Sequence, residues 1–133
     1  MATTKRLERN TIYAIWSARK AKGALAANRL VTIDLDPDDE GFTVKQIVAL
    51  ANRPFGVTGD DTWADTQMAS ICEGPGILPI VCGDAAIDPN VEVFNDAEGR
   101  VTASQGAGAF LVGVTRSKTG ALNELVSVKL AIT

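Results

Sequence analysis

No histidine occurs anywhere in the 133 residues. Ser-His and Cys-His nucleophilic systems are thereby excluded, as are the usual zinc ligand sets. Cysteine is almost as scarce: Cys72 and Cys82 form no CxxC pair, and in a protein made in the cytosol they are expected as free, partly buried thiols. No spacing in the chain implies a metal or a cofactor. Long apolar runs are missing too. None approaches the roughly 18 residues that cross a bilayer, and the apolar stretch at residues 13–16, behind MATTKRLERN, is too short for a signal peptide. The expectation is a soluble protein made in the cytoplasm without secretion and with no membrane partner.

What the chain does have is strands and turns. Its hydrophobic content of 46% suffices for one domain that buries about two-thirds of its unfolded surface. Val31, Ile33 and Leu35 alternate with Thr32 and Asp34; Val91 and Val93 flank Glu92; Val126, Val128 and Leu130 alternate with Ser127 and Lys129. Period two predicts half-buried strands. Turn-forming clusters separate them at residues 36–41, 59–61, 74–76, 88–90, 95–99 and 118–120. The fold class read from this is all-β, a small sandwich or barrel. Residues 91–94 and 100–102, joined by a turn ending at Gly99, read as a hairpin. Residues 61–72 are ambiguous: Asp61-Thr62-Trp63-Ala64-Asp65 resembles a capped helix start, but a repeat favours a strand from about Gln67.

That repeat is the strongest organising signal. GALAANRLVTID and GDAAIDPNVEVF place Gly23, Ala26 and Val31 at one constant offset from Gly83, Ala86 and Val91. PFGVT and LVGVT, with Ser70/Ser127 and Ile71/Val128, share a second, slightly shorter offset. Two similar half-domains, about 23–80 and 83–133, are expected to close their apolar faces on one another as a single domain with pseudo-twofold character. Residues 23–133 should then fold alone. The extra residues of the first half are expected between Ile33 and Phe55, in the acidic turn 36–41.

Charge is unevenly placed. Within residues 1–22, Lys5, Arg6, Arg9, Arg19, Lys20 and Lys22 stand against Glu8 alone, so the rest of the chain is more acidic than its net charge of −3. A basic N-terminal arm, extended or with a short helix at residues 11–22, leads an acidic body. Because Ile12, Tyr13, Ile15 and Trp16 lie between its charges, a protein partner suits the arm better than nucleic acid. Trp16 and Trp63 could stack on bases, but a single-strand groove joins aromatics to a basic face, and the body is acidic.

No motif carries catalysis. Asp34, Asp36, Asp38, Asp39 and Glu40 imitate the start of a calcium loop, but Asp39 stands where the loop needs glycine and Lys45 where it needs the closing glutamate. Gly106-Ala107-Gly108 lacks the lysine of a phosphate loop and precedes a strand. The pairs Asp60/Asp61 and Asp84/Asp88 sit in turns without nearby aromatic walls to perturb their titration. The reading is a protein that is not an enzyme.

In order, the segments GALAANRLVTID, RPFGV, ASICEGPGILPI, GDAAIDPNVEVFNDAEGRVT, FLVGVT and VSVKL resemble the tailed-phage capsid decoration, or cement, proteins over residues 23–133. The resemblance implies a β-rich protein on the outer surface of the virion, assembling as a homotrimer and bridging subunits of the major capsid protein in the expanded head. It departs from that family in residues 1–22 and in the acidic turn. On this reading Lys5, Arg6, Arg9, Ile12, Tyr13, Trp16, Arg19 and Lys20 bind the capsid, and Val126, Val128 and Leu130 form the oligomer interface as an edge strand. A nucleic-acid-binding module using the arm, a head–tail joining or tail protein, and a small hydrolase or lyase on a β-barrel are the alternatives.

Overall fold

The alternating stretches become strands, with one correction: Leu35, expected to share the apolar face of Val31 and Ile33, lies beyond the strand and is exposed, while Asp34 is buried. The computed structural model describes residues 7–35 and 42–132, and among these there are ten strands and no α-helix. They are β1 (Ile15–Ala21), β2 (Leu30–Ile33), β3 (Thr43–Gln46), β4 (Gly56–Val57), β5 (Met68–Gly74), β6 (Ile77–Val81), β7 (Glu92–Asn95), β8 (Val101–Thr102), β9 (Leu111–Thr115) and β10 (Leu125–Leu130). The all-β expectation holds, and the ambiguous stretch 61–72 ends in strand β5. The acidic turn 36–41 lies outside the described residues.

The first five strands form a closed barrel in the order β1-β3-β2-β4-β5, sealed by parallel pairing of β1 with β3. The last five form a sheet in the order β6-β10-β9-β7-β8. These two units repeat one another pair by pair. Lys20↔Met68 and Trp16↔Cys72 in the barrel become Val81↔Leu125 and Ile77↔Lys129 in the sheet. Ile33↔Val44 and Leu30↔Val57 become Asn95↔Val101 and Glu92↔Val114. Even the parallel seam survives in the sheet, as the single bridge Cys82↔Val101.

Loop hydrogen bonds repeat as well. Thr58 Oγ1 donates to the Ala26 carbonyl at 2.7 Å and accepts from Arg29 N–H at 3.1 Å; Thr115 Oγ1 does the same with Asp88 and Val91 at 2.7 and 2.9 Å. Asn28 and Asn90 hold the same left-handed conformation, with φ of 56° and 62°, which asparagine tolerates better than most residues. The register differs from the one read in the sequence: Val31 matches Val93, not Val91, because Val31↔Gly56 is answered by Val93↔Gly113. A strand's faces alternate residue by residue, so the paired partner, rather than the local letter match, decides equivalence.

A second correction concerns closure. The halves do not shut their open faces on each other as equals. The first closes on itself around Ala21, Leu25, Val31, Val44, Ala69 and Ile71. The second stays open and packs Leu78, Ile80, Cys82, Val93, Val112, Val126 and Val128 against Leu30, Val57 and Cys72 from the barrel side. The inner positions explain the difference. Ser17, Arg19 and Glu73 line one end of the barrel, where Ser17 hydrogen-bonds Glu73 and Arg19 stacks 4.9 Å over the Phe55 ring. Their counterparts in the sheet, by strand register, are Leu78, Ile80 and Leu130, which need an apolar partner and find it on the barrel.

Candidate functional site

The residues expected to bind a partner lie in the segment that leads into β1 and on β1 itself. Lys5 and Arg6 are outside the described residues. From Glu8 onward the segment is held on the protein's own body. Glu8 N–H donates to Ser127 Oγ at 2.7 Å, and the Glu8 carboxylate pairs with Arg116 at 3.2 Å. Arg9 pairs with Asp60, which also accepts from Asn28 Nδ2 at 3.2 Å. Asn10 exchanges backbone hydrogen bonds with Ile77 at 2.9 and 2.8 Å. The approach is close because Gly76 is there: a Cβ on it would lie 2.7 Å from the Asn10 carbonyl oxygen.

The expected arm or helix at 11–22 is therefore corrected. Residues 15–21 are a barrel strand, paired with β5 along its length and with β3 at its end. Its alternation was concealed because the pattern is inverted. Ser17 and Arg19 face the polar barrel mouth, while Trp16 and Ala18 face outward.

Ahead of β1 the chain makes a tight turn, closed by Ala14 N–H donating to the Thr11 carbonyl at 3.0 Å. Ile12 and Tyr13 form its tip and are 78% and 84% exposed; Ile15 follows at 61%. Trp16 is half-exposed with its indole lying over Gly59, where a Cβ would come within 3.4 Å. Tyr13 also borders a shallow hollow shared with Asn10, Pro75, Ile77 and Lys129. Of the expected partner-binding residues, the apolar ones, Ile12, Tyr13 and Trp16, come together on one exposed stretch, and Ile15 belongs with them. The cations do not: Arg9 is ion-paired, Arg19 turns into the barrel mouth, and only Lys20 is left exposed on this strand.

Val126, Val128 and Leu130 require correction as an oligomer interface. β10 lies between β6 and β9 rather than at an edge, and Val126 and Val128 are fully buried in the core. Their alternation with Ser127 and Lys129 reads the same for an interior strand as for an edge strand.

The larger cleft, about 620 Å³, opens at the barrel mouth among Ile33, Asp34, Lys45, Arg53, Phe55 and Glu73. Its carboxylates are engaged with neighbouring side chains. Asp34 is buried between Lys22 at 3.0 Å and Lys45 at 3.7 Å, and Glu73 accepts from Ser17. No cluster of metal-ligating side chains is present among the described residues.

Cys72 and Cys82 are free thiols in the core between the two units. Burial pushes the Cys72 thiol above its ordinary value of 9.0, against the smaller opposing pull of a hydrogen bond from the Gly74 backbone and of the Arg9 charge. A raised folded-state pKa means that the thiolate forms more readily in the unfolded chain. Stability is therefore complete below the unfolded pKa and falls as pH rises through about 9 and beyond. Urea titrations between neutral and alkaline pH should show this loss, and Cys72→Ala should reduce it; an unchanged alkaline slope in the variant contradicts the assignment.

No protein family and no curated protein sequence matches the chain. Solved structures do: the chain is similar in fold to the N base of the head fiber protein gp8.5 of bacteriophage phi29. The TM-score is 0.67 at 13% sequence identity, covering 90% of this chain and 96% of that one.

Proposed function

We propose that this protein is a structural component of a phage head, a decoration or cement protein that sits on the outer surface of the virion and bridges subunits of the major capsid protein. The observation that carries the reading is the likeness in fold, over nearly the full length of both chains, to a phage head fiber base. It agrees in kind with the sequence resemblance to cement proteins, which was read from different features. The role needs no turnover. It needs a rigid body and a surface that is buried when the shell is assembled, repeated over many sites so that modest contacts add up.

The exposed turn tip supplies such a surface. Ile12 and Tyr13 stand clear of the body on a turn whose base is held by Glu8, Arg9 and Asn10. An apolar tip on a fixed base loses little conformational entropy on docking, and an aromatic anchor buried at an interface contributes about 2 kcal/mol or more. Arg9 and Arg19 already have partners within the chain, so attachment rests on the apolar residues, with Lys20 adding a screened charge.

Co-sedimentation with expanded empty shells tests this. Ile12→Asp combined with Tyr13→Asp should leave the melting curve unchanged and weaken capture by roughly a hundredfold at any salt concentration, the two lost contacts together amounting to about 3 kcal/mol. Lys20→Glu should weaken it less, and chiefly at low salt. Wild-type occupancy by the double variant would refute the attachment role, and preference of the intact protein for free DNA would favour the nucleic-acid reading instead. Assembly of copies cannot run through the buried strand β10, as a trimer built on Val126, Val128 and Leu130 would require. A contact between copies falls instead to the part of β1 ahead of its short pairing with β3.

A further inference from the structure

The two units differ at one edge. In the sheet, the outward edge of β6 is covered. Ile77 exchanges both backbone hydrogen bonds with Asn10, and Val81 N–H donates to the Asn28 carbonyl at 2.9 Å. Pro79 between them has no N–H, and its carbonyl accepts from Asn28 Nδ2 at 3.1 Å. The matching positions of β1 are Trp16, Ala18 and Lys20. Lys20 lies beside Thr43, and among the described residues the β1–β3 ladder goes no further, Phe42 lying outside any strand.

Backbone direction follows from the neighbours. Ala21 N–H donates toward β5, to Gln67, and Lys22 N–H donates toward β3, to Val44. Alternation then points the N–H and C=O groups of Trp16 and Ala18 away from β5, where no backbone group among the described residues meets them. An uncovered row of this kind, flanked by the exposed Ile12, Tyr13 and Ile15, is one that proteins otherwise blunt or pair.

We propose that this edge pairs with the same edge of a second copy, antiparallel about Ser17, to give a twofold dimer. In that register Trp16 lies opposite Ala18 of the second copy and Ala18 opposite its Trp16. Both are hydrogen-bonded positions, so each pair exchanges two backbone bonds and all the open groups of both edges are satisfied. A twofold contact must be complementary to itself, and this one is. On the outer face each large indole meets the single methyl of Ala18; the two Ser17 residues lie opposite one another at the axis with their side chains turned to the inner face, and no like charges stand opposite one another. The sheet's own edge, with Ile77 and Pro79 at these positions, has neither the donor nor the large-against-small match.

The second unit also supplies the test. Ala18→Pro puts into β1 the residue that β6 carries at the same place, with its nitrogen toward the open side, so the barrel ladder to β5 is left intact. Light scattering and sedimentation equilibrium of the full chain should give a concentration-dependent dimer. Ala18→Pro should be monomeric with an unchanged circular dichroism spectrum, and hydrogen exchange at the Trp16 and Ala18 amides should slow as wild-type concentration rises. If Ala18→Pro does not fold, Ala18→Lys, a change on the exposed face, should weaken the dimer at least tenfold. A wild type that stays monomeric, a trimer, a dimer that survives either substitution, or concentration-independent exchange at Trp16 and Ala18 overturns the proposal.

Discussion

Removing residues 1–22 is expected to abolish the native fold. The sequence suggested the opposite, a dispensable arm before a self-sufficient body, but β1 is one of the five strands that close the barrel. It pairs with β5 from Ile15↔Gly74 to Lys20↔Met68 and carries the parallel seam at Lys20↔Thr43 and Ala21↔Val44. Its loss would uncover Ala69, Ile71 and Val44, all wholly buried in the intact protein, and leave β5 without one neighbour along its whole length. The tether at Glu8, Arg9 and Asn10 would go too, and with it the cover on Ile77. Exposed apolar surface costs about 25 cal/mol per Å², and a domain has only about 5–15 kcal/mol of stability to lose. The truncated chain should show no cooperative urea transition and poor amide dispersion by NMR. A sharp transition near the wild-type midpoint would mean that the barrel can close without β1.

The second large effect is expected at two glycines that hold the same place in the two units. A Cβ on Gly56 would lie 2.5 Å from the Cys72 carbonyl oxygen and 2.7 Å from the Ile71 side chain; one on Gly113 would lie 2.0 Å from the Lys129 carbonyl oxygen. Backbone cannot yield as a flexible side chain does, so Gly56→Ala and Gly113→Ala must push β4 off β5 and β9 off β10. Each should cost about 3 kcal/mol or more, at the upper end of what overpacking produces. Gly120→Ala, with nothing within 4 Å of the added carbon, should stay within about 0.5 kcal/mol of wild type. Chemical denaturation of the three variants checks the contrast, and equal stabilities for all three would contradict the close approach.

Those glycines also show what could be read from the letters. The shared Gly-Val-Thr of residues 56–58 and 113–115 was visible because all three residues do the same work in both units: glycine for close approach, valine in the strand, threonine bonding the loop before β2 or β7. Strands β2 and β10 were legible from clean alternation, and the β7–β8 hairpin from its turn residues. β1 was not, because Ser17 and Arg19 face inward and Trp16 outward, the reverse of a half-buried strand. Nor was β6, where Pro79 at an edge position reads locally as a strand breaker. The offset error at Val31 came from matching glycines in loops, which are free to gain or lose residues, rather than paired residues in strands. For the candidate site, the exposure of the apolar residues Ile12, Tyr13 and Trp16 was readable from their place between the charges of the segment. That Arg9 and Arg19 are engaged within the chain depends on Asp60 and Phe55, far away in sequence.

The most direct test of the functional account is to find where the protein sits on the particle. Cryo-electron microscopy of heads assembled with and without it should show added density at symmetry-related positions on the outer shell surface, each contacting more than one capsid subunit, with the turn bearing Ile12 and Tyr13 at the contact. Density confined to the head–tail junction or the tail, or heads indistinguishable in its presence and absence, would contradict the account.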